Sequence, residues 1–108
     1  MSDPRSINDL VQFSDEGPVT RKLIETDRTI VTLVCLMPAQ AIPQFTHKRR
    51  EAFVTCMQGC IRVTPGDGPA ELHAGDIAFY DGTEPAGPSN PGDTNAAFLV
   101  TLVRKKDA

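Results

Sequence analysis

The sequence predicts an all-β fold, a single sandwich or barrel made of short strands. Short runs rich in Val, Ile, Leu and Thr recur along the 108 residues, a composition typical of half-buried strands. The nine prolines and eight glycines are spread along the chain, so they bound these runs rather than form a linker. No helical period extends beyond a turn or two near the N-terminus. Together these observations favour one β-domain of modest size.

The same runs give the order of the elements. Residues 1–17 are polar and irregular and are expected to be a short N-terminal extension, in which Ser6–Phe13 makes either a short helix or an edge strand. Residues 18–108 are expected to be the barrel domain. Its expected strands are, in chain order, Val19–Glu25, Thr29–Met37, Phe45–His47, Glu51–Met57, Cys60–Thr64, Ala70–His73, Ile77–Tyr80 and Asn95–Arg104.

Proline, glycine and charged residues mark the expected connections. Pro38 ends the second strand, because proline cannot donate a hydrogen bond to a ladder. Lys48–Arg50 is expected to be a charged turn, and Gln58-Gly59 the tight turn of a hairpin. Residues 65–69 carry turn-forming residues at nearly every position, and residues 81–91 are irregular and rich in Gly and Pro.

Composition and charge exclude several classes of partner. Hydrophobic residues make up 40% and charged residues 23%, an ordinary globular balance. A net charge of −3 provides no attraction to nucleic acid or to an anionic membrane. The chain has no apolar run long enough to span a bilayer and no secretory character at its N-terminus. Three cysteines without a Cys-x-x-Cys pair predict reduced thiols and a cytoplasmic protein.

Two separated stretches, residues 39–59 with His47 and Gly59 and residues 75–90 with Gly75 and Asn90, keep the spacing of a known pair of motifs. They are similar to the two signature motifs of the cupin family. The first family motif reads Gly, five residues, His-x-His, three or four residues, Glu, six residues, Gly. This sequence has Ala39 at the first glycine, Phe45 and His47 at the two histidines, Ala52 at the glutamate and Gly59 at the last glycine. The spacing of the motif is therefore kept, while most of its ligands are not.

The second motif shows the same pattern of kept spacing and lost ligands. It reads Gly, five residues, Pro-x-Gly, two residues, His, three residues, Asn. Gly75 and Asn90 match its two ends. Asp81 stands at the proline, Thr83 at the glycine and Ala86 at the histidine.

The resemblance covers residues 29–103 and implies a single cupin jelly-roll β-barrel, also called a double-stranded β-helix. In most cupins the three histidines and the glutamate of these motifs bind one metal ion. Only His47 keeps its ligand here, so neither a metal nor another cofactor is expected. A site built from Cys35, Cys56 and His47 is an alternative that needs an unusual geometry, whereas buried cysteine more often packs as a small hydrophobe.

The lost ligands predict an apolar pocket around His47. Ala52 and Ala86 replace bulky ligands and leave space, and alternation along the strand turns Val54 and Cys56 inward with Ala52. His47 is either a general base or a structural residue that hydrogen-bonds a neighbour. With His47 as the catalytic residue, the expected substrate-binding residues are Lys22, Phe45, Arg49, Ala52, Val54, Cys56, Tyr80, Glu84 and Ala86.

Charged and phenolic side chains around this pocket leave alternatives open. Arg49 or Arg50 is expected to anchor an anionic group. The facing of Lys22 is undetermined. Tyr80, expected to hold its hydroxyl at the rim, is one of three candidate proton partners for His47. The other two are Asp81 and Glu84.

Three functions are compatible with this pocket. The first is a metal-independent proton-transfer enzyme, a dehydratase, lyase, isomerase or epimerase that acts on a small polar or anionic substrate with His47 as base. Small metal-free cupins with such chemistry are what the resemblance implies. The second is a non-catalytic ligand-binding or sensor module, and the third is a metal-dependent cupin with non-standard ligands. A small molecule is the expected partner, and a homodimer would cover exposed sheet edges.

Overall fold

The computed structural model describes residues 4–43, 46–64, 68–82 and 87–106 and confirms the all-β prediction. Its strands form a five-stranded sheet in the order β1-β2-β7-β3-β6 and a two-stranded sheet, β4-β5, with all pairs antiparallel. The elements are a 3-10 turn at Ile7–Asp9, β1 Val19–Glu25, β2 Thr29–Leu36, β3 Arg50–Gln58, β4 Cys60–Val63, β5 Ala70–His73, β6 Ile77–Asp81 and β7 Ala96–Arg104.

The strand expected at Phe45–His47 is wrong for Thr46 and His47, the two of its residues that the structure describes. Thr46 and His47 have no strand pairing, and Phe45 lies outside the described residues. The His47 amide donates to the Gly82 carbonyl at 2.7 Å, and the His47 carbonyl accepts from the Arg50 amide at 3.0 Å. Because the turn uses both backbone groups of His47, neither is available to a ladder.

The N-terminal extension is neither the full short helix nor the edge strand that the sequence suggested for Ser6–Phe13. Only Ile7–Asp9 forms a 3-10 turn. The Arg5 guanidinium donates to the Leu23 carbonyl at 3.0 Å, which ties the extension to β1. Apolar side chains of the extension and of β1 pack on the outer face of the five-stranded sheet, namely Ile7, Leu10, Val11, Phe13, Val19 and Leu23 against Leu33, Cys35 and Ala97.

The interior lies between the two sheets. Along β3, the even-numbered Ala52, Val54 and Cys56 are buried, while Phe53 and Thr55 on the other face are only partly buried. The residues that share the interior are Val34, Leu36, Ala52, Val54, Cys56, Ile61, Val63, Leu72, Tyr80, Ala96, Phe98, Val100 and Leu102. Alternation thus assigns one face of each strand to the core. Among the described residues no helix is long and apolar enough to cross a membrane.

Candidate functional site

A cavity of about 300 Å³ lies inside the barrel, at the small end of the range for ligand pockets. Strands β1, β2 and β7 supply most of its wall, and two irregular segments supply the remainder. Its lining residues are Thr20, Thr32, Val34, Ile42, His47, Pro88, Phe98, Val100 and Leu102. In the part of the wall that the structure describes, one imidazole and two hydroxyl groups are therefore the polar side-chain groups among hydrocarbon side chains.

The end of β6 fixes the backbone around His47. Besides the bond from the His47 amide, the Gly82 amide donates to the Arg50 carbonyl at 2.9 Å. A Cβ atom on Gly82 would lie 2.3 Å from both the His47 and the Arg50 carbonyl oxygens. Only glycine allows these two carbonyl groups to approach so closely. The position of the His47 backbone, and with it that of the imidazole, therefore depends on Gly82.

The surroundings of His47 favour its neutral form. The side chain is half-buried, and desolvation by burial lowers its pKa below the ordinary value for histidine. The positive charge of Arg50 is the second cause and acts in the same direction. A neutral imidazole at neutral pH can accept a proton, as a general base must.

We expect the Arg50→Gln variant to raise the pKa of His47 toward its ordinary value, because the variant removes a nearby positive charge. The shift should be incomplete, since burial is the larger cause and stays in place. An NMR titration of the His47 ring protons measures it. Arg49→Gln is the matched control, because Arg49 is exposed, and it should leave the pKa nearer the wild-type value. Equal effects of the two variants would contradict this assignment.

Two polar groups lie buried on the interior face, although neither of their residues lines this cavity. Arg50 shares the face of β3 that carries Ala52, and Ala52 is paired with both Tyr80 and the cavity residue Leu102. Arg50 Nη1 and the Tyr80 hydroxyl are both buried and find no hydrogen-bond partner among the described residues. Burial raises the pKa of Tyr80, so its hydroxyl is protonated and can donate.

These positions correct two expectations. The hydroxyl of Tyr80 is buried, not at the rim, because Tyr80 belongs to the inward-facing set of β6. Arg49 is exposed, and the arginine that reaches the interior is Arg50. Alternation along β3 predicts that Arg50 faces the interior, because it is two residues before the inward-facing Ala52.

The remaining predicted binding residues fall into three groups. Val54 and Cys56 are buried in the interior with Ala52 but do not line the cavity. Lys22 has a 53% exposed side chain, and its ammonium donates to Glu25 at 3.2 Å instead of entering the cavity. Phe45, Glu84 and Ala86 lie outside the described residues.

Asp81, a second candidate proton partner of His47, and the buried thiol of Cys56 each have polar groups of their own to bond with. The Asp81 carboxylate accepts from the Lys105 ammonium at 2.6 Å. The Cys56 thiol donates to the carbonyls of Gln58 and Gly59 at 3.6 and 3.5 Å. Burial is the main cause that raises the pKa of Cys56, so this thiol is a poor nucleophile.

The described residues of the interior do not fit the family's metal. The glutamate position is the methyl group of Ala52, and the part of the cavity wall that the structure describes offers one nitrogen ligand and two hydroxyls. The alternative set is wrong on geometry, because Cys35 packs on the outer face of the sheet and Cys56 on the inner face. They cannot converge with His47 on one ion.

Sequence reasoning missed most of the cavity wall. Thr20 and Thr32 come from β1 and β2, whereas both family motifs lie after Met37 in the sequence. The inward alternation of these two strands could have indicated them. Their place beside Phe98 in the cavity wall follows from the pairing of β2 with β7, which local alternation does not reveal.

A second cavity, of about 670 Å³, lies between the N-terminal extension and the outer face of the sheet. Its wall is largely apolar and includes Ile7, Leu10, Leu23 and Leu99. The charged side chains at its edge are Arg5 and Glu25, which are exposed. It is larger than the barrel cavity but offers no imidazole, so the barrel cavity is the better candidate for chemistry.

Comparisons with known proteins agree with this architecture. Residues 32–102 match the family model described as Cupin domain. No curated protein sequence matches the chain. The solved structure of TT1209 from Thermus thermophilus superposes with a TM-score of 0.90 at 22% identity and covers 96% of this chain and 99% of that one.

Two further structures are similar. A protein with a double-stranded β-helix domain from Klebsiella pneumoniae has a TM-score of 0.86 at 24% identity, covering 100% of this chain and 95% of that one. A sugar phosphate isomerase from Silicibacter pomeroyi, described as from a cupin superfamily, has a TM-score of 0.70 at 24% identity over 83% of this chain and 61% of that one. These likenesses and the family match confirm the expected jelly-roll barrel.

Proposed function

The chain belongs to the cupin family, and we propose that it binds a small anionic organic molecule in its barrel cavity and transfers a proton on it without a metal. His47 is the proposed general base. The observation that carries the proposal is a half-buried imidazole, held neutral by burial and by Arg50, in the wall of an apolar cavity.

The anionic character of the substrate is supported by the buried donors beside Ala52. Arg50 Nη1 and the Tyr80 hydroxyl can each donate a hydrogen bond, and neither has an acceptor among the described residues. Buried donors without acceptors are costly, and a carboxylate or phosphate oxygen would satisfy both. Ala52, which stands where the family motif has a glutamate, is buried between these donors and brings no acceptor of its own.

The proposed reaction takes a proton from a carbon next to a carbonyl group. His47 accepts that proton, and the negative charge that develops is stabilised by Arg50. Return of the proton to a neighbouring atom gives isomerisation, and loss of a leaving group gives elimination. A sugar phosphate isomerase among the similar structures supports a phosphorylated or carboxylated substrate of this kind.

Deuterium exchange tests the proposal directly. Small sugar phosphates and hydroxy acids that raise the melting temperature are incubated with the protein in D2O, and loss of the substrate C–H signal is followed by NMR. His47→Gln should slow exchange by about a hundredfold or more, the usual contribution of a general base. Arg50→Gln should weaken binding, whereas Arg49→Gln should change neither. Exchange that survives in His47→Gln would reject His47 as the base.

A non-catalytic binding function is the second candidate. Among the described residues, the hydroxyls of Thr20 and Thr32 are the polar side-chain groups that accompany His47 in the cavity wall. Neither is an effective acid or base at neutral pH, so a second proton-transfer group is not evident there. Tight binding of a ligand without any exchange would favour this function.

We propose that the protein forms a homodimer, in which a second copy of the chain covers the outer face of β3 and β6. Ile77 is 64% and Phe79 56% exposed, and Phe79 packs on Phe53 with ring centroids 5.2 Å apart. β6 is an edge of the five-stranded sheet. Its backbone groups can pair with β6 of a second copy about a two-fold axis, which would place the two exposed apolar faces side by side.

Phe79→Asp is therefore expected to convert a dimer into a monomer, because it places a charge in the apolar contact. Multi-angle light scattering after size exclusion measures the mass. Ile24→Asp is the matched control, since Ile24 is 42% exposed on the opposite edge strand, β1. A wild-type protein that is monomeric at high concentration would contradict the proposal.

A further inference from the structure

The outer face of the β4–β5 hairpin carries three ligand-type side chains that converge. Cys60, Glu71 and His73 offer a sulfur, a carboxylate oxygen and an imidazole nitrogen, all within 4.8 Å of one another. Among the described residues they are the one such group. Their position on the outside of the barrel separates them from the cavity that contains His47.

Strand register creates this convergence. Cys60 is paired directly with His73, and Arg62 is paired with Glu71. Glu71 and His73 are two residues apart, so they lie on the same face of β5, while Leu72 between them is buried. The partner strand repeats the pattern, since Ile61 is buried and Cys60 is only partly buried. Backbone pairing therefore holds the three Cβ atoms together in the absence of any ligand.

We propose that Cys60, Glu71 and His73 bind one borderline-soft divalent cation of the Zn²⁺ type, with a fourth position left to water or an external ligand. Mixed sulfur, nitrogen and oxygen ligands are typical of zinc. In a tetrahedral zinc site these ligand atoms are about 3.5 Å apart, from bond lengths of about 2.3 Å to sulfur and 2.0 Å to nitrogen. The separations here are at most 4.8 Å, and rotation of the side chains, of which Glu71 and His73 are exposed, can close the difference.

Neighbouring side chains are compatible with a bound cation. Glu71 Oε2 accepts from the Arg62 guanidinium at 2.7 Å, and the second carboxylate oxygen can serve the metal. This ion pair is exposed, so releasing it costs little. The Asp76 carboxylate accepts from the His73 amide at 2.9 Å and lies 3.9 Å from His73 Nδ1. The distance to the ring is too long for a hydrogen bond, so the carboxylate adds negative charge beside His73 without fixing the ring.

The binding step balances as a simple exchange. The Cys60 thiol loses its proton to solvent and binds as thiolate, the Glu71 carboxylate binds in its ionised form, and His73 binds through a neutral nitrogen. No bond other than S–H is broken and nothing is oxidised or reduced. A bound ion would cross-link β4 to β5 and stabilise the folded state in proportion to the free metal concentration.

Titration of the EDTA-treated, fully reduced protein with Co²⁺ tests the site. Because Co²⁺ replaces Zn²⁺ and absorbs in the near ultraviolet when thiolate binds it, one equivalent should give a thiolate-to-metal band that Zn²⁺ abolishes. Cys60→Ser should remove the band, and His73→Gln should weaken binding at least tenfold. His47→Gln is the matched control and should leave the titration unchanged. The Arg62→Gln variant should bind Co²⁺ at least as tightly as the wild type, because it frees Glu71 from its ion pair.

Three outcomes would overturn the proposal. The first is the absence of stoichiometric binding, and the second is a band that persists in Cys60→Ser. The third is a titration that is lost in His47→Gln but kept in His73→Gln, because the ion would then lie in the barrel. Deuterium exchange by the protein in EDTA measures the barrel chemistry separately, so this site can fail without consequence for the proposed function.

Discussion

Gly82→Ala is expected to destabilise the fold by about 3 kcal/mol and to displace His47, because the new methyl group has no space. A Cβ at this position would lie 2.3 Å from the carbonyl oxygens of His47 and Arg50 and 3.2 Å from the Arg50 carbonyl carbon. These contacts are with backbone atoms, which cannot rotate away as a side chain could. Relief requires the loss of the hydrogen bonds that the Gly82 carbonyl and amide make with His47 and Arg50.

Urea unfolding measures the stability of this variant, and the NMR signals of the His47 ring report its position. Gly92→Ala is the matched control, since its added methyl would meet only the Asn90 side-chain oxygen at 3.6 Å, an ordinary contact. That variant should stay within about 0.5 kcal/mol of the wild type. A Gly82→Ala protein of wild-type stability with unshifted His47 signals would show that the turn does not depend on this close approach.

The strands could be predicted from sequence because their signals are local. β2 and β7 are runs rich in Val, Leu and Thr, and both begin and end within a residue of their predicted limits. The tight turn at Gly59 was also a local signal. Its φ of 72° and the 2.4 Å approach of a would-be Cβ to the Asn95 carbonyl explain why glycine stands there. The positive φ is a local reason for glycine that turn chemistry predicts, whereas the approach to Asn95 is a tertiary reason that the sequence does not reveal.

The site was harder to predict because it depends on contacts between distant residues. The sequence leaves open whether Arg49 or Arg50 reaches the pocket and which way Lys22 faces. In the structure Arg49 and Lys22 are exposed, and Arg50 has its Nη1 atom buried on the interior face. The sequence predicts a strand at His47, whereas a hydrogen bond from its amide to the carbonyl of Gly82, far along the chain, holds it in a turn. Spacing along the chain cannot reveal such a bond.

Phe98→Ala is expected to cost about 3–5 kcal/mol, the usual loss for a fully buried phenylalanine. Phe98 has no exposed surface and is paired with Val34 on β2 and with Cys56 on β3 at the centre of the large sheet. Its ring also forms part of the cavity wall, so the space it leaves joins a void of about 300 Å³. The surrounding side chains cannot close a void of that size, so little of the loss is recovered.

Thermal unfolding measures the effect, which should lower the melting temperature by roughly 15–30 °C for a domain of this size. Phe98→Leu keeps most of the buried hydrocarbon and is the matched control, with an expected cost below about 1.5 kcal/mol. Because the enlarged cavity is apolar, benzene should stabilise Phe98→Ala more than the wild type. A cost below about 1 kcal/mol for Phe98→Ala would contradict the packing of this ring in the core, and equal stabilisation of both proteins by benzene would contradict its place in the cavity wall.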